Sequence, residues 1–404
     1  MELVEENLTC FLHGSGSTAE YEERLMALIQ DPLDVIVHIA YVGIGGSNAL
    51  ALDSDSPTPP LSWFNFRPLG SVESYISRES RLVMGHEASG IVYAVGPAVV
   101  NLKIGDDVAI ETGFACNVCA QCKSDHYKPC PDMKFPLSPP NTHGNFPKFV
   151  TLPAHCCHKI ANTTGENTAM GGPEHRLAPP IGLDEATFIE PLATAMHTVI
   201  LTGVKAGDNV VVFGAGLEAL LCAAVARELG ATMVFAFDTS RENLIFAEQW
   251  MSRDRFLFFS GMLDTSMGAK NFAIGVKVWL QSLSPSDGGA IPGFDVAIET
   301  TGTEFCVQMV IHSLRIGGFL AQTGLGNQNV NIPISKVVEN DITVKGTCGY
   351  GPGDFELALQ LANSRMIDMK PLITNMFAFE DVDKAWEAAK NGKGTKTLIQ
   401  GAGF

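Results

Sequence analysis

Positive charge is scarce in this chain of 404 residues. Lys and Arg number 27 against 44 Asp and Glu, a formal net charge of −17. Such a surface repels phosphate backbones, which removes nucleic acid from the expected partners. Long apolar runs are missing as well. No stretch reaches about 18 uninterrupted apolar residues, so no membrane span is expected. The opening Met1-Glu2-Leu3-Val4-Glu5-Glu6 lacks the basic region and apolar run of an export signal. A cytoplasmic location follows as the expectation, with the ten cysteines reduced and metal favoured over disulfides. There is no internal repeat and no low-complexity tract. What remains is globular: with 46% hydrophobic and 18% charged residues, the chain has material for a large core and the length of two ordinary domains.

Four of the cysteines, Cys116, Cys119, Cys122 and Cys130, follow the spacing C-x2-C-x2-C-x7-C. Four thiolates that close can enclose one tetrahedral zinc and leave no position open for substrate. Such a site is structural. Unrelated free thiols in a loop are the alternative, and a disulfide pair would need an oxidising compartment.

The first part of the chain is rich in Gly, Pro and short alternating apolar runs, such as Val35–Ile39 and Gly90–Gly96. These read as short strands of a loop-rich β fold. Segments near 53–80 and 162–180 read as long loops. Beyond Ala193 the pattern changes to continuous apolar runs alternating with helical stretches. The runs are Asn209–Phe213, Met233–Phe237, Arg255–Phe259, Phe294–Glu299, Gly318–Thr323 and Ile342–Gly346. Strands apolar on both faces belong in a parallel sheet covered by helices. After Gly351 a helical pattern returns, with Phe355, Leu357, Ala358, Leu361 and Ala362 on one face and a second short helix over Asp381–Lys390.

Gly214-Ala215-Gly216-Leu217-Glu218-Ala219 follows a strand and opens a helix, in the pattern G-x-G-x-x-G/A. Gly214 permits a tight turn, Gly216 lets a pyrophosphate approach the backbone, and Ala219 lets the helix pack closely on the strand. Asp238 follows Gly214 by 24 residues, where a carboxylate holds an adenosine ribose and disfavours a 2′-phosphate, so NAD(H) is expected over NADP(H). The alternative is a turn kept for packing only. Glu218 is the discordant residue. Aimed at the phosphates it would repel them, so it is expected to point to solvent.

Taken together, these motifs resemble the zinc-containing medium-chain dehydrogenases, and most closely the fungal-type xylitol and sorbitol dehydrogenases. Further matching segments are Gly85-His86-Glu87-Ala88-Ser89-Gly90, Lys103–Ala109, Ile189-Glu190-Pro191-Leu192-Ala193, Glu299-Thr300-Thr301-Gly302 and Tyr350-Gly351-Pro352-Gly353-Asp354. The resemblance implies a loop-rich β catalytic domain of GroES-like type over 1–192 and 350–404, carrying the structural zinc lobe. It implies a Rossmann doubly wound parallel sheet over 193–349, and a homo-oligomer, dimer or tetramer, formed through the sheet edge. The four cysteines would hold one structural zinc per chain. His86, Glu87 and Glu190 match the family's catalytic zinc ligands.

The chain departs from the family at the cleft. The family's G-I-C-G-S-D reads Gly43-Ile44-Gly45-Gly46-Ser47-Asn48, so glycine replaces a zinc-binding cysteine. Ala49-Leu50-Ala51-Leu52 replaces a segment with a histidine and aromatics, and Cys348-Gly349-Tyr350 replaces F-R-Y. Glycine at position 45 supplies neither ligand nor negative charge, leaving either a weak N/O metal site or a buried polar pair at His86–Glu87. Ser47 and Tyr350 remain as hydroxyl donors to a substrate oxygen. The segment between Gly45 and His86 is longer than in the family and carries Trp63, Phe64 and Phe66. It reads as a pocket lid or as an exposed insertion. Apolar replacements disfavour a small polyol and favour a larger, less polar small molecule, as in specialised metabolism. Three functions fit: an NAD(P)-dependent oxidoreductase, a redox-neutral isomerase or cyclase using His86, Glu87 and Glu190 as acid–base groups, and a non-catalytic binding protein.

Overall fold

The chain divides into two units, Met1–Glu190 with Gly351–Phe404, and Pro191–Tyr350. The computed structural model describes residues 6–13, 19–26, 28–44, 81–113, 115–116, 118–124, 130–132, 144–160, 179–252, 257–283, 291–327, 329–347, 349–392 and 394–404. Gly45, Ser47, Asn48, Leu50–Leu52, the aromatic segment with Trp63, Phe64 and Phe66, and Cys348 lie outside them. So do the loops expected near 53–80 and 162–180, apart from Pro179 and Pro180.

In the first unit, β1 (Glu6–His13) pairs with β2 (Ala19–Leu25) and with β4 (Arg81–Leu82) in a small antiparallel sheet. The larger sheet is built on β3 (Asp34–Ile44), whose inward residues Val35, Val37, Ile39 and Val42 are buried. Antiparallel to it runs β5 (Glu87–Val95), with register shifts between Ile36 and Val37 and between Ile39 and Tyr41. Such irregularities bend a strand and increase its twist, which lets a sheet wrap its own core. The sheet continues through β6 (Asp107–Ile110) to β8 (Cys157–Lys159), while β7 (Phe149–Pro153) pairs with β3. A short helix, Leu183–Ala186, is tied to a later one by Arg365, which donates to Pro179 O (2.9 Å), Pro180 O (2.7 Å) and the Glu185 carboxylate.

The second unit holds a six-stranded parallel sheet, in the order β11-β10-β9-β12-β13-β14. Its strands are β9 (Asn209–Phe213), β10 (Met233–Asp238), β11 (Leu257–Met262), β12 (Phe294–Glu299), β13 (Leu314–Gln322) and β14 (Thr343–Gly346). The central strands are buried almost end to end, as the continuous apolar runs require. An aromatic cluster fills one face. Phe235 stacks on Phe259 at 4.9 Å and meets Trp279 and Phe294 edge-on at 5.4 and 5.1 Å. β13 begins at Leu314, earlier than the sequence suggests, and the glycines at 317 and 318 hid its first half. The strand order reverses between β9 and β12, the switch point at which open α/β sheets bind ligands.

The chain then returns to the first unit through the helix Asp354–Asn363, β15 (Ile373–Phe377), the helix Val382–Lys390 and β16 (Lys396–Gln400). β16 pairs with β3 and places Leu398 opposite Gly43. In the first of these helices the buried face is Phe355, Ala358, Leu359 and Ala362. Leu357, expected inside, is exposed. Among the described residues no helix is long and apolar enough to cross a membrane.

Glu218 corrects an expectation. Its carboxylate is not turned to solvent but accepts a hydrogen bond from Thr323 Oγ1 at 2.5 Å, just past the end of β13. Burial pushes its proton affinity above that of an ordinary carboxyl; the Thr323 hydroxyl opposes this and the charge of Glu299 adds to it. In the unfolded chain the group ionises near pH 4.3 (about). The native state therefore holds the proton more tightly. This contribution to stability is complete below that pH and is lost as pH rises through the folded-state value. Glu218→Gln is expected to raise the unfolding temperature by a few degrees at alkaline pH and to leave it unchanged in mild acid. Thermal unfolding of both proteins across that range checks the sign; an equal gain at every pH would refute it.

Candidate active site

The sharp chain reversal before β5 sets the first group of functional side chains. Gly85, at φ +93°, accepts from both the backbone N–H and the side-chain amide of Asn145, at 2.9 and 3.2 Å. The next carbonyl, of His86, accepts from Thr112 Oγ1 at 2.7 Å. Held on both sides, His86 and Glu87 meet Glu190, which lies in the first turn of the helix Ile189–Thr202. One donor atom from each of the three lies within 4.8 Å of the others, and all three residues are buried. Burial lowers the proton affinity of His86; Glu87 opposes this and Lys396 reinforces it. A neutral imidazole keeps a lone pair free for a metal.

Lys396 completes the cluster, and sequence reasoning missed it. It opens β16, its side chain is 0% exposed, and its ammonium donates to Glu87 Oε2. The ring of Phe188 lies 5.6 Å from the same nitrogen. Register explains how the pair fits. Gly43 of β3 stands opposite Glu87, and a Cβ on it would come within 2.6 Å of the Lys396 side chain and 2.7 Å of Glu87 Oε2. A glycine in the middle of an apolar strand was the available signal. The three converging donors suit an N/O metal site, and one carboxylate oxygen is shared with an ammonium.

The cysteine lobe is built locally. Cys119 caps the one-turn helix Ala120–Lys123. Cys122 Sγ lies 3.5 Å from Cys119 Sγ and 3.9 Å from Cys116 Sγ, and all four sulfurs are grouped within 4.8 Å. A tetrahedron with metal–sulfur bonds of about 2.3 Å has edges of about 3.8 Å, so the set has the dimensions of a ZnS4 site. The backbone N–H groups of Val118 and Cys119 lower the Cys116 thiol to about 7. Backbone N–H groups also reach Cys130 Sγ (from Cys116, 3.4 Å) and Cys119 Sγ (from Cys122, 3.5 Å). Among the described cysteines there is no disulfide.

In the second unit the glycine turn sits at the switch point. Gly214 has φ +104°, and a Cβ there would come within 2.5 Å of Thr300 Oγ1. At Gly216, the N-cap of the helix Leu217–Glu228, an added Cβ would meet nothing within 4 Å. The turn is therefore closed on its inner side and open on its outer side, which fits a pyrophosphate resting on backbone amides. Ala219 is buried against the sheet. Asp238, at the end of β10, is fixed by the N–H groups of Ala215 and Ser240, each at 2.7 Å. Tyr350 is buried at the end of the second unit, and Ser47 lies outside the described residues.

Residues 31–162 match the family described as alcohol dehydrogenase GroES-like domain, and residues 219–364 match zinc-binding dehydrogenase. A protein of Emericella nidulans named "Probable D-xylulose reductase A" is 36% identical, over 98% of this chain and 97% of that one. D-xylulose reductase A of Aspergillus niger is 35% identical, with the same shares. Among solved structures, an Escherichia coli oxidoreductase/dehydrogenase of unknown specificity superposes with a TM-score of 0.77 at 24% identity, covering 98% of this chain and 100% of that one. Galactitol-1-phosphate dehydrogenase from Escherichia coli gives 0.76 at 22%, covering 97% and 99%. These structural likenesses speak to the fold, while the identity to the fungal reductases runs through both units. The chain belongs to the zinc-containing medium-chain dehydrogenase/reductase superfamily, as an oxidoreductase close to the polyol dehydrogenases.

Proposed function

We propose that this oxidoreductase passes hydride between NAD(H) and an alcohol or carbonyl carbon of a substrate larger and less polar than a sugar alcohol. The convergence of His86, Glu87 and Glu190 in a buried cluster carries this reading. When bound, the dinucleotide supplies the hydride carrier, and a zinc at His86 and Glu190 supplies the polarisation of the substrate oxygen. His86 offers a neutral nitrogen and Glu190 a charged oxygen. Glu87 is held by Lys396, whose ammonium keeps that carboxylate from binding a substrate proton. Ser47 is the proposed hydroxyl donor to the substrate oxygen. The Asp238 carboxylate, fixed by two amides, repels a 2′-phosphate and so favours NAD(H).

The substrate preference rests on Gly45, Leu50, Ala51, Leu52 and Gly349, where the family has polar or ligating groups. Apolar residues where the family carries hydroxyl-binding groups discriminate against a polyol, whose hydroxyls would be desolvated without compensation. Steady-state rates with NAD+ should therefore give apolar secondary alcohols a kcat/KM at least about tenfold above xylitol and sorbitol. Faster turnover of xylitol would refute the reading, and substrate conversion without any cofactor would replace it with a redox-neutral reaction.

Two metals of unequal affinity are proposed, one in the cysteine lobe and a weaker one at His86 and Glu190. A mild chelator should remove one zinc equivalent and leave a second. His86→Ala should lack the exchangeable metal. Cys122→Ser should lack the retained one and unfold at lower temperature, because a structural zinc contributes directly to folding. Elemental analysis of the three proteins decides this. A single exchangeable metal that survives His86→Ala would overturn it.

A homo-oligomer through the outer strand of the parallel sheet is also proposed. β14 is an exposed edge, with Val344 on it and Ile334 and Val338 beside it, exposed by 45%, 60% and 76%. β14 is short and carries Lys345, so the exposed apolar side chains of Val344, Ile334 and Val338, rather than an apolar strand, would drive association with a second copy at this edge. Val338→Asp combined with Val344→Asp should turn the oligomer into a monomer in sedimentation velocity. An unchanged sedimentation coefficient would exclude this edge as the interface.

A further inference from the structure

Two carboxylates meet at the carboxyl end of the second half of the parallel sheet. Glu299, at the end of β12, is fully buried and wholly engaged. It accepts from the N–H (2.8 Å) and Oγ1 of Thr301, from the N–H of Gly302 (2.7 Å) and from Gln322 Nε2. Its charge serves the turn that follows the strand. Glu218 differs. It is half-buried, it stands in the first turn of the helix that leaves the glycine turn, and its carboxylate reaches away from Asp238 to Thr323 beyond the end of β13. Thr323 is itself fixed, its N–H donating to Glu299 O at 3.0 Å.

The topology says which half of a dinucleotide this carboxylate faces. The adenosine half belongs with β9, β10 and Asp238. The pyrophosphate crosses the switch point at the glycine turn, and the nicotinamide half continues over β12 and β13. Glu218 lies on that second half. The oxidised and reduced cofactors carry the same adenosine and the same pyrophosphate. They differ in the ring, which is cationic when oxidised and neutral when reduced. Whatever Glu218 does to the phosphates it does equally to both forms, and only its action on the ring separates them.

Building on the dinucleotide reading above, we propose that Glu218 sets the preference between the two redox states of the cofactor, holding NAD+ more tightly than a neutral residue would. Stabilising the cationic ring shifts the equilibrium between the bound forms toward NAD+, so the bias favours hydride leaving NADH, the direction in which a carbonyl is reduced. An ionised carboxylate on that half attracts a cationic ring by an amount worth at least about fivefold in binding, even after screening. The titrations are run at alkaline pH, where Glu218, whose proton affinity burial raises, carries its charge.

The test is calorimetric titration of the full chain and of two variants, Glu218→Gln and Glu218→Met, with NAD+, NADH and ADP-ribose. ADP-ribose keeps the adenosine and pyrophosphate and lacks the ring, so it reports the fold and the phosphate site alone. In both variants NAD+ binding is expected to weaken by roughly fivefold or more relative to NADH, with ADP-ribose within about twofold of its binding to the unaltered chain. Parallel shifts of NAD+ and NADH would overturn the proposal and make Glu218 a residue of the phosphate site. Loss of ADP-ribose binding in both variants would overturn it by making Glu218 structural. If the unaltered chain binds none of the three, the dinucleotide reading itself falls and the proposal with it.

Discussion

The ion pair of Lys396 with Glu87 holds the candidate site together. Both side chains are out of water, at 0% and 6% exposure, so each has given up hydration worth several kcal/mol by the usual order of magnitude. Only close, well-directed contact offsets that loss. The structure provides it through three strands at once: β16 supplies the ammonium, β5 the carboxylate, and β3 the gap at Gly43 in which the two meet. Removing one partner would leave the other buried and uncompensated, a larger loss than the net worth of the pair. Among the described residues, β16 supplies the ammonium that pairs with the carboxylate beside His86.

What could be read from the sequence was what is local. The cysteine lobe lies within fifteen residues, and its spacing alone brings four sulfurs into range of one another. The glycine turn is likewise contained in six residues, and its strand and helix lie on either side. The central strands of the parallel sheet, β9, β10 and β12, were legible because burial on both faces leaves an unbroken apolar run. β2 was not, since Ala19–Leu25 is mostly exposed and carries four glutamate and arginine residues among its seven. Such a stretch has no alternation to betray it, and β1 was lost with its partner.

The two residues that sequence reasoning missed or misjudged have distant partners. Lys396 is 309 positions from Glu87, and Glu218 is 105 from Thr323. Local propensity places a charged group of either kind at the surface, because an isolated buried charge is costly. Pairing reverses that outcome, and no window of neighbouring residues contains the pair. Leu357 and Leu359 show the same limit on a smaller scale. Both fit a helical period, and only the packing of the helix decides which is buried.

The buried cluster also bears on what its chemistry could be. Counted as formal charges, two carboxylates and one ammonium beside a neutral imidazole amount to a single net negative charge. A divalent ion there would retain net positive charge. In the family a thiolate would remove it, and Gly45 does not. A less neutralised metal is held more weakly by its ligands and draws harder on an oxygen that approaches it. In the proposed site, glycine in place of the family's cysteine would exchange metal affinity for polarising power. A lobe of four thiolates would do the opposite, neutralising a zinc it held beyond any use in polarising a substrate. Holding zinc as proposed, the two clusters would divide its roles between them, one closed and structural, the other electron-poor and open to reaction.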